Sequence, residues 1–116
     1  MKLEENAKLT KLMIGHEDHG IFGFNLNFEF DGCHQGTGYY CLYNKHFPDT
    51  PDSTGKLIRG LLKVFDVDDI SKIEGKYCRI KKYKTEHNSP IEEVGNIMAN
   101  KWLLVRTLEM KDNNEK

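Results

Sequence analysis

Cysteine is scarce in this chain, and its spacing suits no structural role. Cys33, Cys41 and Cys78 form an odd set without a Cys-x-x-Cys pair, which excludes a disulfide framework and a zinc ribbon and reads as reduced thiols in a cytosol. Long apolar runs are missing as well. No stretch approaches the ~20 residues a membrane span needs, and Met1 to Asn6 lacks the apolar region of a signal peptide, so neither secretion nor membrane insertion is expected. Net charge is almost absent at −1, which argues against the strongly acidic surface of a DNA mimic. No repeat, low-complexity tract or linker interrupts the chain.

What is present suffices for one domain. The 116 residues include 38% hydrophobic ones, with six Phe and five Tyr, and 30% charged ones to cover the outside, so a core can form without staples and a second folded domain is excluded. Order is expected over about 9–108, with 109–116 a frayed tail. The near-neutral total hides a local asymmetry: Lys72, Lys76, Arg79, Lys81, Lys82 and Lys84 cluster, broken only by Glu74. Such a cluster permits an anionic ligand.

Apolar periodicity points to strands, then helices, then strands. Leu9 to Ile14 reads as a short strand followed by a Gly15–Gly20 turn. From Phe22 to Phe30, apolar Phe22, Phe24, Leu26, Phe28 and Phe30 alternate with polar Asn25, Asn27 and Glu29, the pattern of a half-buried antiparallel strand. Asp31-Gly32 makes a turn into a third strand, Gly36 to Tyr43, and Asn44 to Thr54, with Pro48 and Pro51, is a long loop. Ser53 or Thr54 can cap a helix from about Gly55 to Phe65, with Leu57, Ile58, Leu61, Leu62 and Phe65 as its apolar face. Asp68 can cap a second, single-turn helix ending at Gly75. Tyr77 to Tyr83 is a basic strand, Lys84 to Pro90 a loop and Val94 to Met98 a last short strand, while Lys101 to Glu109 packs as either helix or strand. The expected fold class is therefore α+β: an antiparallel sheet with one main α-helix across one face and a second short helix.

Few motifs carry chemistry. His16-Glu17-Asp18-His19 offers four metal-binding side chains, yet its histidines are at i and i+3 in a turn, whereas the familiar zinc helix needs i and i+4; a solvated turn is the better account. Gly32, Gly36 and Gly38 precede a strand rather than a helix, so they make no dinucleotide loop. Gly55-Lys56 is followed by Leu57 and preceded at the required spacing by Thr50, so it is no P-loop. Cys33 and His34 are neighbours on a strand end and point opposite ways, which leaves that thiol without its base. The basic strand with Tyr77 and Tyr83 reads either as an anion-binding surface or as a solvated edge protected by lysines.

Three blocks of sequence carry a resemblance. They are Gly15-x-Glu17-Asp18-His19-Gly20-Ile21; Gly32-x2-Gln35-Gly36-x-Gly38-Tyr39-Tyr40; and Ile58-Arg59 with Val67-Asp68, Gly75-Lys76-Tyr77-Cys78-Arg79 and Gly95-Asn96-Ile97-x3-Lys101-Trp102. Across most of residues 9–102 the chain resembles a family of small proteins encoded by phages and prophages. It departs from that pattern at Gly60, which stands where a second basic residue would follow Arg59, and in its longer Asn44–Thr54 loop.

The resemblance implies phage origin more than a mechanism. Proteins of this kind and size look like counter-defence factors in the cytoplasm of an infected bacterium, which bind a host component without turnover. The expected reading is a non-catalytic homo-oligomer that sequesters a nucleotide-like immune signal. An inhibitor of a defence nuclease, such as an anti-CRISPR, and a nucleic-acid-binding accessory of phage replication are the alternatives. No cofactor, metal or membrane enters this reading. Arg59 and Arg79 are the expected phosphate contacts, Tyr39 or Trp102 the stacking surface, and Gln35 and Asn96 the polar contacts. Trp102 is expected to be packed on one side and available on the other.

Overall fold

The computed structural model describes residues 3–16, 22–39, 53–82 and 89–112. Among these, β1 (Leu3–His16), β2 (Phe22–Phe30), β3 (Cys33–Tyr39), β4 (Tyr77–Lys82), β5 (Ile91–Gly95), β6 (Lys101–Leu104) and β7 (Met110–Asp112) form one antiparallel sheet in the order β3-β2-β1-β4-β5-β6-β7. A single α-helix, α1 (Ser53–Phe65), packs on it, and Ile70–Lys72 is one 3₁₀ turn. This corrects the expected α+β class with two helices: the described residues are mostly antiparallel sheet with one α-helix. The short second helix fails because Asp69, not Asp68, caps the segment through a 2.8 Å bond from the Ser71 N–H, and Ile73 already closes the turn onto the Ile70 carbonyl.

β1 is much longer than its apolar run. Its half from Leu3 to Lys8 pairs with β4, and its half from Lys8 to His16 pairs with β2. A bulge at Thr10 joins the halves, and the Thr10 hydroxyl donates to the Asn27 carbonyl at 3.1 Å. The extra residue shifts side-chain parity, so that Ala7 and Leu9 before it and Leu12 and Ile14 after it all face the core. β5 uses the same device. Its register against β4 jumps from Glu93 to Ile91, which turns both Ile91 and Val94 inward.

The alternation read in β2 holds: Phe24, Leu26, Phe28 and Phe30 are buried. Asp31 and Gly32, both at positive φ (52° and 74°), form the two-residue turn whose twist matches a hairpin. β3 then turns back along β2 from Cys33 to Tyr39. Gln35 Nε2 donates to the Ser89 carbonyl at 2.7 Å and Thr37 Oγ1 to the Ile91 carbonyl at 3.2 Å. The sheet thus coils until its first strand is stitched by side chains to the start of its fifth.

α1 lies against β6, β4 and β5 with Leu57, Leu61, Val64 and Phe65 in the core. It ends in a C-terminal cap of the Schellman type: Asp66 takes a left-handed conformation (φ 56°), and the Val67 N–H returns to the Leu62 carbonyl at 3.1 Å. Gly60 faces β6. A Cβ there would come within 2.7 Å of Leu103 Cδ1, so any larger residue at this position would require Leu103 to move.

The basic strand is no edge. β4 is the middle strand of the seven described, paired with β1 along its length and with β5 from Arg79 to Lys82. Of the stretch expected to be a frayed tail, Met110–Asp112 forms β7 beside β6, and residues 113–116 lie outside the described residues. The ambiguous segment after Lys101 is strand followed by a turn, and the strand expected at Val94–Met98 is Ile91–Gly95. Tyr40 to Tyr43, most of the Asn44–Thr54 loop, Tyr83 with most of the Lys84–Pro90 loop, and Glu17 to His19 lie outside the described residues. No helix of the described residues is long and apolar enough to cross a membrane.

Candidate functional site

Three of the six expected contacts do meet, on the sheet face opposite the core. Register places Arg79, Gly95, Trp102 and Lys111 in one row across β4 to β7, and Lys81, Glu93 and Leu104 in the next. The Trp102 indole lies on the bare backbone of Gly95: a Cβ at that position would be 2.5 Å from the ring carbons Cδ2 and Cε3. The Arg79 guanidinium sits 4.8 Å from the ring centroid and the Lys81 ammonium 4.0 Å, both within range of the attraction between a cation and an aromatic face. Trp102 is 1% exposed, so no side of it is available for stacking.

Arg79 is equally committed. Nε donates to the Asn96 carbonyl at 2.8 Å and Nη2 to the Ala99 carbonyl at 2.7 Å, while Nη1 pairs with Glu4 Oε2 at 2.8 Å. Asn96 completes the clamp. Its Oδ1 accepts from the Met98 and Ala99 N–H groups at 2.8 Å each, and its Nδ2 donates to the Val64 carbonyl at the end of α1 at 2.7 Å. The cluster therefore fastens the loop between β5 and β6 to β4 and α1.

Below it, Glu93 is fully buried, with Lys111 Nζ 2.9 Å from Oε2 and Lys81 Nζ 3.9 Å from Oε1. A buried carboxylate is tolerated only when paired, because removing one partner of such a pair costs about 3–5 kcal/mol. Lys81 is thus held between Glu93 and Trp102. On the core face Lys82 is 1% exposed, its ammonium 4.9 Å from the centre of the Phe30 ring.

The remaining expected contacts lie elsewhere. Gln35 is spent on Ser89. Tyr39 pairs through its backbone with Phe24 at the end of β3, and its side chain is outside the described residues. Arg59 stands exposed on α1. There it shares the solvent side with Lys56 and Lys63, a row that the apolar periodicity of the helix does not reveal; the i, i+3, i+7 spacing is nonetheless legible in Lys56-x2-Arg59-x3-Lys63.

Two concavities are also described. One of about 570 Å³ is lined by Leu12, Ile14, Ile58, Ile70, Ser71 and Glu74, beside the stretch of β1 that has run past β4, where the Glu74 carboxylate accepts the Leu12 N–H at 2.8 Å. The other, about 390 Å³, lies around Lys8, Glu29, Asp31 and exposed Tyr77. Neither includes any of the six expected contacts.

Among the described residues no three His, Cys, Asp or Glu side chains converge on a metal-sized space. Cys78 is buried on the inner face of β4, and burial pushes its thiol up to about 12, which leaves it un-ionised and inert as a nucleophile at neutral pH. Compared with known protein families, characterised proteins and solved structures, the chain finds no match.

Proposed function

We propose that this protein is a non-catalytic accessory protein of the phage type that acts in counter-defence by binding an anionic host component through an exposed surface. The observation that supports this reading is the position of Arg59, which stands exposed on the outer side of α1 beside the exposed Lys63 and the half-buried Lys56. The small-nucleotide form of the reading draws less support. It asks Gln35, Arg79, Asn96 and Trp102 to receive a ligand, and all four are engaged in contacts within the domain. A helix face that carries only cations suits an extended anion such as nucleic acid better than an enclosed nucleotide.

The test is native mass spectrometry of the protein mixed with a panel of small nucleotides and short oligonucleotides, with the free compounds recovered and chromatographed. A retained anionic species, chemically unchanged, is expected on a homo-oligomer. Conversion of any compound into product, or retention of none, contradicts the proposal.

A further inference from the structure

Among the described residues, the cations of β4 and those of α1 differ in exposure, and those of α1 face solvent in a row. α1 contains Lys56, Arg59 and Lys63 and no acidic residue. At 100° per residue the three fall within one narrow arc, opposite Leu57, Leu61 and Val64, which are buried. Along the axis they are spaced by about 4.5 and 6 Å, roughly 10 Å in all. That span matches the rise of about three nucleotides of one strand of a duplex, at 3.4 Å each.

Helix stability does not account for the row. Lys63 sits in the last turn, where a cation complements the negative end of the helix. Lys56 is the fourth residue of the helix, at its positive end, where a cation is disfavoured. Among the described residues its acidic neighbour is Glu109, 3.7 Å away, with more than a third of the Lys56 side chain and most of the Glu109 side chain exposed, a pairing of the kind worth under about 1 kcal/mol and easily exchanged for a phosphate. Gly60 keeps the adjoining face of the helix close against Leu103 and Met110, so the row is carried on a rigidly seated element.

We infer that the Lys56–Arg59–Lys63 face of α1 is a binding surface for the phosphodiester backbone of a nucleic acid, read without base specificity. This rests on the proposed function and names the partner class for it. Three side chains and no aromatic on that face fit positioning contacts to phosphate rather than base stacking. Binding is consequently sequence-independent and falls steeply with salt, because each neutralised phosphate releases counterions.

The experiment is fluorescence anisotropy with a short labelled DNA duplex of random sequence, at several salt concentrations. It compares the wild type, the triple variant K56E/R59E/K63E and a control of equal charge change, K11E/K72E/K76E, whose three positions are exposed elsewhere. The helix variant is expected to lose more than tenfold in affinity and to flatten the slope of log affinity against log salt by about 2 to 3. The control is expected to retain most of both. Circular dichroism checks folding, and K56Q/R59Q/K63Q replaces the triple variant should it fail to fold.

Unchanged affinity in a folded helix variant, or an equal loss in the control, overturns the inference. Wild-type protein that ignores duplex and single strands but holds a small nucleotide or an acidic polypeptide overturns it while sparing the wider reading. No binding to any anion overturns both.

Discussion

β4 and α1 carry comparable numbers of cations, and the two sets have opposite fates. On β4, Arg79 is hydrogen-bonded or ion-paired through all three guanidinium nitrogens. Lys81 lies between Glu93 and the Trp102 ring, and Lys82 is 1% exposed. On α1, Arg59 and Lys63 are exposed and Lys56 is half-buried at the rim. The strand is richer in charge along the sequence, yet the cationic side chains of the helix are the more exposed. A local excess of one sign locates charge along the chain. Whether that charge can reach a partner is decided by the strand order, which puts β4 in the middle of the sheet.

The sharpest way to break this contrast is to remove the ring around which the β4 cations are organised. Trp102→Ala is expected to cost about 3–5 kcal/mol, enough to unfold much of a domain of ordinary marginal stability. Urea denaturation reads it, and an unchanged midpoint would mean that Arg79 and Lys81 owe nothing to the indole. Gly95→Ala acts on the same contact from below and is expected to cost less, about 1–3 kcal/mol, since the ring must shift off an added methyl group.

A smaller effect sharpens the burial of β4 from its inner face. Cys78 has its thiol pKa raised from 9.0 to about 12 by desolvation. The folded state keeps its proton where the unfolded chain has lost it, so the contribution to stability is full below pH 9 and is lost as pH rises toward 12. The expected slope in that window is up to about 1.4 kcal/mol per pH unit from this group. Denaturation curves collected at rising pH should show it in the wild type and show it diminished in Cys78→Ala. An identical pH dependence in both would place the thiol in a wetter site than β4 provides.

Much of the fold is legible where a single period governs the pattern. The alternation of β2, the Asp31-Gly32 turn and the apolar face of α1 all follow from local sequence. The rest depends on partners distant in the chain. Leu3 to Lys8 is polar and becomes strand because β4 pairs with it. The bulges at Thr10 and Glu92 break parity, so β1 and β5 do not read as continuous strands. Trp102, Arg79 and Asn96 do come together, but what joins them is packing. An aromatic opposite a glycine on the neighbouring strand is the available hint, and it requires the register to be known. Lys56 and Lys63 need no such register, because their spacing from Arg59 along the polar side of the helix is local.

The most direct measurement of the central claim is lysine acetylation footprinting of the native protein, read by mass spectrometry with and without a short DNA duplex. The account predicts that Lys63 and, more slowly, Lys56 are labelled in the free protein and become protected when duplex is added, while Lys81 and Lys82 resist labelling in both samples. Rapid labelling of Lys81 or Lys82 in the folded protein, or protection by duplex that spares Lys56 and Lys63, would contradict it.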